Sequence, residues 1–575
     1  MNDEPTKKRI AILGGGPSSL FMYKRLVDSG RSDFEITIFE KKSQLGAGMP
    51  YSTEGAGKEH ITNVSANEIP EIVTSIADWI QTVPDAKLDY FCIDRSKFNE
   101  YKVLPRLLFG DYLAAQFDLL LAQAKLTGMG TSVNLETIVE DISYEPQREQ
   151  VVVKTQNQTL NFDAVVICTG HHWPKKHEGK IPGYFDSPYP PAKLALQLDH
   201  PVAVRGSSLT AIDAIRTLAR NNGLFVKKEN GKLVYEVSGD SPNFKIVMHS
   251  RSGLLPAVRF HLDDSHLTND ALLTPDEIKQ HRTANDGFLS LDYIFDQDYK
   301  KLLAKKDPDF YEQIKDMKIE QFVDYIMELR ERLDAFVLFK SEFTEAEKSI
   351  KRHESVYWKE MLAVLSFAMN YPAKYFSAED MIRLQSVLMP LISIVIAFVP
   401  QASGEEMMAL HDAGVLELKA VGSDSTVKAE DKGATIAFTN EAGEKEANYY
   451  QTYVDCVGQP HLSIADFPFK SLTEKKVISK AVLKFRNAVK AEEALKSGNQ
   501  KVFQTENGDY FLEVPGISIN DNFQVIDPYG AYNPAIFIMA VPYIGGYNPD
   551  YSGLDFCEAA SEKIMASLNE QEQLV

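Results

Sequence analysis

The sequence predicts an α/β protein in which two strand–turn–helix units, each able to seed a parallel sheet, flank a long helical insertion. Three observations carry this. The apolar run Arg9-Ile10-Ala11-Ile12-Leu13 breaks at Gly14-Gly15-Gly16, reopens as a helix from Pro17, and is followed by a second apolar run closing at Glu40. The same logic returns at Pro201 to Arg205, where Gly206 makes the turn and a helix opens at Leu209. Between about Ala257 and Pro400 apolar residues recur at helical spacing with few strand signals.

The first unit is the most informative. Gly14 permits a tight strand-to-helix turn, and Gly16 lets a pyrophosphate approach the backbone. The helix beginning Pro17-Ser18 directs unpaired N–H groups and its positive end at the phosphates. Ser19 stands where a third glycine or alanine is usual, and is small enough for close helix–strand packing. Glu40 ends "EITIFE", where a carboxylate can accept both hydroxyls of an adenosine ribose. Strand, turn, helix, strand and terminal acid in this order predict a bound dinucleotide.

With 575 residues the chain exceeds a single hydrophobic core, so about two to four domains are expected. A net charge of −20 and a pI near 5.2 argue against a nucleic-acid groove or a polybasic membrane patch. Cys92, Cys168, Cys456 and Cys557 are dispersed, without C-x-x-C or metal-ligand spacing, which excludes a dithiol relay and a zinc site. Cys168 and Cys456 read as small buried apolar residues. "MNDEPTKKRI" contains no apolar leader segment, so a cytoplasmic location is expected. Val387 to Val399 contains Pro390 and is too short for a membrane span, which leaves a buried helix or strand.

After Glu40, "KKSQLGAGMPYSTEGAGKEHITNVSANEIP" defeats both helical and strand periodicity and reads as a functional loop. Pro105 opens the amphipathic helix "PRLLFGDYLAAQFDLLLAQA". Arg106 lies in its first turn, where the helix dipole disfavours a cation, so it is assigned to the cofactor or the preceding loop. Short strands then lead to "DAVVICTGHHWP", which delivers Thr169 and Gly170 beside the dinucleotide. His171, His172 and Trp173 follow, facing the nicotinamide or substrate, or packing between domains. His171, His172 and Asn63 are the candidate catalytic residues, with Tyr543 and Asn548 as further lining residues.

In the second unit Ser208 replaces the second glycine, and Ser207 and Ser208 offer hydroxyl donors in its place. This leaves either a working nicotinamide site or a vestigial one. "NFKIVMHSRSGLLP" puts Arg251 where a 2′-phosphate would lie, which favours NADPH over NADH. In the insertion, Ile319, Phe322, Val323, Ile326, Leu333 and Phe336 trace one apolar face, and Tyr357, Met361, Val364 and Leu365 another. Hairpin strands with polar turns follow, and Val454 to Gly458 resembles the earlier Thr169-Gly170 return. The terminal segment places a Gly545-Gly546 loop and a helix N-terminus at Gly553-Leu554, whose positive end is aimed at a ring system.

On "GGGPSS", "GAGMPYS", "TNVSANEIP", "PRLLFGDYL", "VVICTG", "RGSSLTAIDA", "HSRSGLLP" and "DCVGQP", the chain resembles the FAD/NAD(P)-binding oxidoreductases with two dinucleotide folds. That group includes the flavin-dependent N-hydroxylating and Baeyer-Villiger monooxygenases, and the closest likeness is to a bacterial branch of it. The resemblance implies two Rossmann-like dinucleotide-binding domains with a large helical insertion. FAD would lie at Gly14, Gly16, Pro17, Ser18, Ser19, Glu40, Arg106, Thr169 and Gly170, with Gly553 and Leu554 near its ring. NADPH, or NADH, would lie at Gly206, Ser207, Ser208 and Arg251. The implied division is 1–195 (FAD domain, first part), 196–256 (NAD(P) domain, first part), 257–400 (helical insertion), 401–454 (NAD(P) domain, second part) and 455–575 (FAD domain, C-terminal part). The implied function is oxygenation of a small organic substrate through a flavin hydroperoxide, without metal, nucleic acid or membrane span. Two alternatives stay open: an NAD(P)H-dependent flavin reductase or dehydrogenase, and an FAD-holding scaffold with a degenerate nicotinamide site.

Overall fold

In the computed structural model, which describes residues 7–262, 272–370, 372–440, 442–459, 462–550 and 553–573, the first apolar run is strand β1 (Lys8–Leu13). Ile10 through Leu13 are all buried, as befits a parallel strand covered on both faces. Helix α1 (Pro17–Asp28) returns the chain to β2 (Phe34–Phe39), which pairs parallel with β1 so that Leu13 stands opposite Phe39. The loop after Glu40 contains a strand that local periodicity did not indicate. This strand, β3 (Ile61–Ser65), pairs antiparallel with β4 (Val103–Pro105), so its partner is some forty residues away and the signal is non-local. Helix α2 (Arg106–Thr127) starts directly after Pro105, as expected, and leads to β5 (Gly130–Asn134) beside β2. On the other side of β1 lies β6 (Ala164–Ile167), with Ile167 opposite Leu13.

The chain enters its second sheet earlier than position 195. Strand β7 (Tyr184–Phe185) pairs with a strand more than 260 residues further on, a contact no local pattern encodes. Strand β8 (Pro201–Arg205), helix α3 (Leu209–Asn222) and β9 (Lys245–Ser250) then repeat the first unit's geometry.

The helical insertion includes α4 (Pro275–Ala284), α5 (Leu291–Phe295), α6 (Ile319–Glu331), α7 (Ala335–Arg352) and α8 (Tyr357–Ala368). Ile319, Phe322, Val323 and Ile326 form a buried face on α6, but Leu333 is 47% exposed and Phe336 belongs to α7. The single stripe is therefore corrected to two. Asp334 accepts from the N–H groups of Phe336 and Val337, which restarts the helical register. Met361, Val364 and Leu365 are buried on α8. The apolar stretch around Pro390 is a helix, Met389–Val395, with Leu391, Ile392 and Val395 buried.

Strands β10 (Leu416–Ala420) and β11 (Thr452–Asp455) complete a five-stranded sheet in the order β7-β11-β8-β9-β10, every pair parallel. Asp455 thus ends a strand of the second sheet. Between them the expected hairpins form a three-stranded antiparallel sheet, Thr426–Ala429, Ala434–Thr439 and Lys445–Tyr450. Pro460, the last residue of "DCVGQP", lies outside the described residues.

The C-terminal stretch supplies β12 (Gln524–Ile526), β13 (Tyr532–Ile538) and α9 (Gly553–Gln573). They close the first sheet in the order β12-β13-β6-β1-β2-β5, with Ile538 opposite Ile167. The first unit is therefore built from both ends of the chain. Helix α9 is tied to α1 by Arg25 Nη2 and Glu558, 2.5 Å apart.

Candidate functional site

Because Leu13, Phe39, Ile167 and Ile538 sit at one level of the first sheet, the segments that follow them converge at its carboxyl edge. Backbone hydrogen bonds hold them there: Gly14 N–H donates to Phe39 O, Cys168 N–H to Leu13 O and Met539 N–H to Ile167 O, each at 2.8 Å. The convergence lines a cavity of about 650 Å³. Ligands of open α/β sheets bind at this edge.

Gly14 adopts φ +107°, and a Cβ there would lie 2.6 Å from Cys168 O. Only glycine fits this turn. Gly16 caps α1 without any side-chain bond, and no acidic residue stands in the helix's first turn. Its N–H groups and positive end are thus left for an anion. A Cβ on Gly16 would press to 3.3 Å from Gly48 Cα, in the loop that follows β2. Ser19 is fully buried under the sheet, a packing position rather than a cavity wall.

Glu40 is 7% exposed and lines the cavity. Its Oε2 accepts from Gly15 N–H at 2.5 Å and its Oε1 from Lys42 N–H at 2.8 Å, so the carboxylate clamps the glycine turn to the end of β2. Each oxygen keeps a second lone pair for a ribose hydroxyl. Pro17, Ser18, Thr169, Gly170, Gly553 and Leu554 also line the cavity, as do Asn63, His171 and His172. Gln459 binds the last two from the second unit: its Oε1 lies 3.3 Å from His171 Nδ1, and its Nε2 donates to His172 O at 2.5 Å. Burial lowers the His171 pKa, which keeps the imidazole neutral.

Arg106 lines the cavity but its side chain is already engaged. Nε donates to Ile61 O at 3.2 Å, and Nη1 reaches Asp213 of α3 at 2.6 Å. Tyr189 OH donates to the same Asp213 oxygen at 2.8 Å, and Trp173 packs on Tyr189 with ring centroids 5.4 Å apart. His171 packs on Trp173 in turn, at 5.5 Å. A continuous polar and aromatic seam therefore joins the two units beside the cavity.

Gly206, Ser207, Ser208 and Arg251 are not in this wall; they lie at the carboxyl edge of the second sheet, where Arg205 stands opposite His249 and Asp455. The turn copies the first one. Gly206 has φ +112°, and a Cβ on it would lie 2.7 Å from Cys456 O. Ser208 caps α3 with extended backbone and no side-chain bond. Ser207 Oγ is turned inward, 2.9 Å from Leu254 O and 3.1 Å from Ser250 Oγ, which subtracts it from the expected donors. Arg251 is exposed. Leu209, the first residue of α3, reaches the 650 Å³ cavity.

Several wall residues were not among the expected site residues: Tyr51 and Leu209, although both stand in quoted motifs, and Lys42, Met539 and Cys557. Tyr543 lines the cavity, as expected, but Asn548 lines a different one. Cys168 and Cys456 are buried, as their apolar flanks predict, and Cys557 is buried as well. Cys168 and Cys557, 389 positions apart in sequence, share the cavity wall, with Cys557 Sγ 3.4 Å from Ser18 Oγ. Burial pushes the Cys557 thiol up to about 12 and raises that of Cys168, so both are held as thiols and not as nucleophilic thiolates.

The residues present fit a dinucleotide. The Thr169 hydroxyl is buried and has no hydrogen-bond partner among the described residues, beside the glycine cradle and the uncapped α1 N-terminus. Such an orphaned group costs stability unless a ligand satisfies it.

Residues 11–172 match the family described as FAD-NAD(P)-binding, and residues 274–396 match the YdhS-like middle domain. The uncharacterized protein YdhS of Escherichia coli strain K12 is 26% identical over 478 residues, covering 81% of this chain and 86% of its own length. The dimethylaniline monooxygenase (N-oxide-forming) 2 of Cavia porcellus is 27% identical over 260 residues, 42% of this chain and 44% of its own, so this chain spans less than half of that relative. Among solved structures, the ornithine N-hydroxylase of Kutzneria sp. 744 aligns over 99% of this chain and 100% of its own at 13% identity, with a TM-score of 0.48. The first sheet thus carries a matched FAD-NAD(P)-binding domain, and the helical insertion carries a matched YdhS-like middle domain.

Proposed function

We propose that this protein is an FAD-dependent, NADPH-using monooxygenase acting on a small organic substrate. The observation that carries the proposal is the pairing of a complete dinucleotide cradle at Gly14, Gly16 and Glu40 with a second glycine turn whose helix reaches the same cavity through Leu209. The relatives named as monooxygenases support the reaction type. FAD, when bound, supplies the relay of electrons from NADPH and the activation of dioxygen. The chain's own contribution is binding, orientation and exclusion of water. Gly14, Gly16, Pro17 and Ser18 would hold the pyrophosphate, Glu40 the ribose, and Thr169, Gly170, Gly553 and Leu554 the far half. Arg106 would act from the wall, its guanidinium fixed by Asp213. Gly206, Ser208 and Arg251 would take NADPH, with the guanidinium facing its 2′-phosphate. His171 would shape the wall without storing a proton, since burial keeps it neutral.

The domain division proposed with this function keeps a discontinuous FAD unit around a second unit that begins near Tyr184. Among the described residues no helix is long and apolar enough to cross a membrane. Four free cysteines suit the reducing cytoplasm, where NADPH is also held.

The test is the visible spectrum of purified protein, followed anaerobically with NADPH and NADH and then with oxygen and candidate substrates. Bleaching by NADPH, and NADPH consumption matched by oxygen inserted into product, support the reading. Flavin absent from every preparation overturns the FAD assignment, and NADPH consumption that yields only peroxide or a reduced acceptor turns it into a reductase. The inward-turned Ser207 favours one further reading, a scaffold with a lost nicotinamide site. Failure of both nicotinamides to bleach bound flavin would support it.

A further inference from the structure

A second cavity, of about 240 Å³, lies where the helical insertion meets α9. It shares no lining residue with the dinucleotide cavity. Helix α9 separates the two: Gly553, Leu554 and Cys557 face one, while Phe556, Ala560 and Lys563 face the other. At about 30 Å³ per water molecule, the smaller space holds about eight waters, or a ligand of roughly six to ten non-hydrogen atoms.

Its wall is mostly apolar, with Ile278, Leu289, Ile294, Phe367 and Phe523 among the contributors. Into this wall is set the carboxyl group of Asp298, a residue 1% exposed. Asp298 accepts one hydrogen bond, from Leu273 N–H at 3.1 Å, and forms no ion pair among the described residues. It sits at the middle of a π-helical turn, Asp296–Lys300, that interrupts the helix continuing α5. Such turns are rare and recur at functional sites because they re-aim a side chain.

A buried ionised carboxyl is costly: it either takes up a proton or is paired with a charged partner that also donates hydrogen bonds. An alkylammonium is such a partner, and its hydrocarbon body matches the apolar wall. We propose that this cavity is a second small-molecule site, taking a compact apolar primary amine with its ammonium on Asp298. Burial pushes this carboxyl up to about 7, with Glu277 adding to the effect and Lys301 opposing it. Lys563 also lines the cavity, so a second cationic end is disfavoured and monoamines are selected over diamines.

Binding in this cavity requires no turnover. Calorimetric titration of the full-length, FAD-loaded protein with hexylamine, hexan-1-ol, hexanoate and hexane-1,6-diamine tests it. Hexylamine is expected to bind at least tenfold tighter than each of the others. Asp298→Asn should remove that preference while the flavin spectrum stays unchanged. Ala559→Trp, at a half-buried position of the wall, should abolish amine binding, and it serves if Asp298→Asn does not fold. Equal affinity for amine and alcohol, a preference for hexanoate or the diamine, an amine preference that survives Asp298→Asn, or amine binding that survives Ala559→Trp would each overturn the proposal. Flavin-dependent oxidation of hexylamine that persists in Ala559→Trp would place the probe in the dinucleotide cavity and overturn it too.

Discussion

Arg106 and Asp213 form an ion pair of 2.6 Å between the first turn of α2 and the middle of α3, and thus across the two dinucleotide units. Both side chains are largely shielded, at 16% and 7% exposure. The pair gathers Tyr189 OH, and His60 Nε2 lies 3.1 Å from Asp213 O. Arg106 thus serves the dinucleotide wall and the inter-unit seam together.

Removing one partner leaves the other buried and uncompensated, at a cost of about 3–5 kcal/mol. Arg106→Ala is therefore expected to lower the urea midpoint sharply. The double variant Arg106→Met/Asp213→Leu, which removes both charges, should recover a large part of the loss. Equal destabilisation by single and double variants would show that the pair is not the source.

The two glycine turns give a matched experiment. Gly14→Ala and Gly206→Ala each force a Cβ to within 2.6 and 2.7 Å of a carbonyl oxygen at positive φ, so each should cost about 1–3 kcal/mol. Their functional consequences should differ. Gly14→Ala is expected to purify with little flavin, whereas Gly206→Ala should keep its flavin and lose reduction by NADPH. Absorbance ratios and anaerobic bleaching separate the two outcomes.

Glu40→Gln keeps the shape of the clamp but weakens two charge-assisted bonds, to Gly15 N–H and Lys42 N–H, and the charge toward a ribose. At about 1.5–3 kcal/mol for a charged hydrogen bond, FAD affinity should fall by about tenfold to a hundredfold. Reconstitution of apoprotein with FAD, followed by fluorescence, measures it.

Acid stability should depend on His249. Burial, helped by Lys419 and partly opposed by Glu417, lowers its pKa to about 4; its Nδ1 has no partner among the described residues. The folded pKa lies below the ordinary value of about 6.5, so the unfolded chain binds the proton first and stability falls as pH drops from about 6.5 toward 4. The loss integrates to roughly 3 kcal/mol. Asp298 acts in the opposite sense. Its folded pKa of about 7 exceeds that of the unfolded chain, so its contribution is present at low pH and is lost as pH rises toward 7. Melting curves across pH 4–8 should steepen on the acid side for Asp298→Asn and flatten for His249→Gln.

Local chemistry explains what could be read directly. The glycine turn at Gly14, the acid at Glu40, the return at Thr169 and Gly170 and the helix opening after Pro105 each depend on residues within a few positions, whose conformational demands are intrinsic. The misses are contacts between distant segments. Strand β3 is a strand because of β4, Tyr184 joins the second sheet because of Thr452–Asp455, and Cys168 meets Cys557 because α9 packs on α1.

The sequence by itself determined that two parallel-sheet units exist, where each glycine turn lies, and that the first can cradle a pyrophosphate. It did so because backbone freedom, helix N-termini and apolar periodicity are properties of neighbouring residues. Only the tertiary structure decided that Arg106 answers to Asp213, that Ser207 turns inward, that Asn548 belongs to another cavity and that Asp298 faces an apolar chamber. Those are matters of what burial brings into contact, and a buried charge finds its partner, or fails to, across distances that no local pattern records.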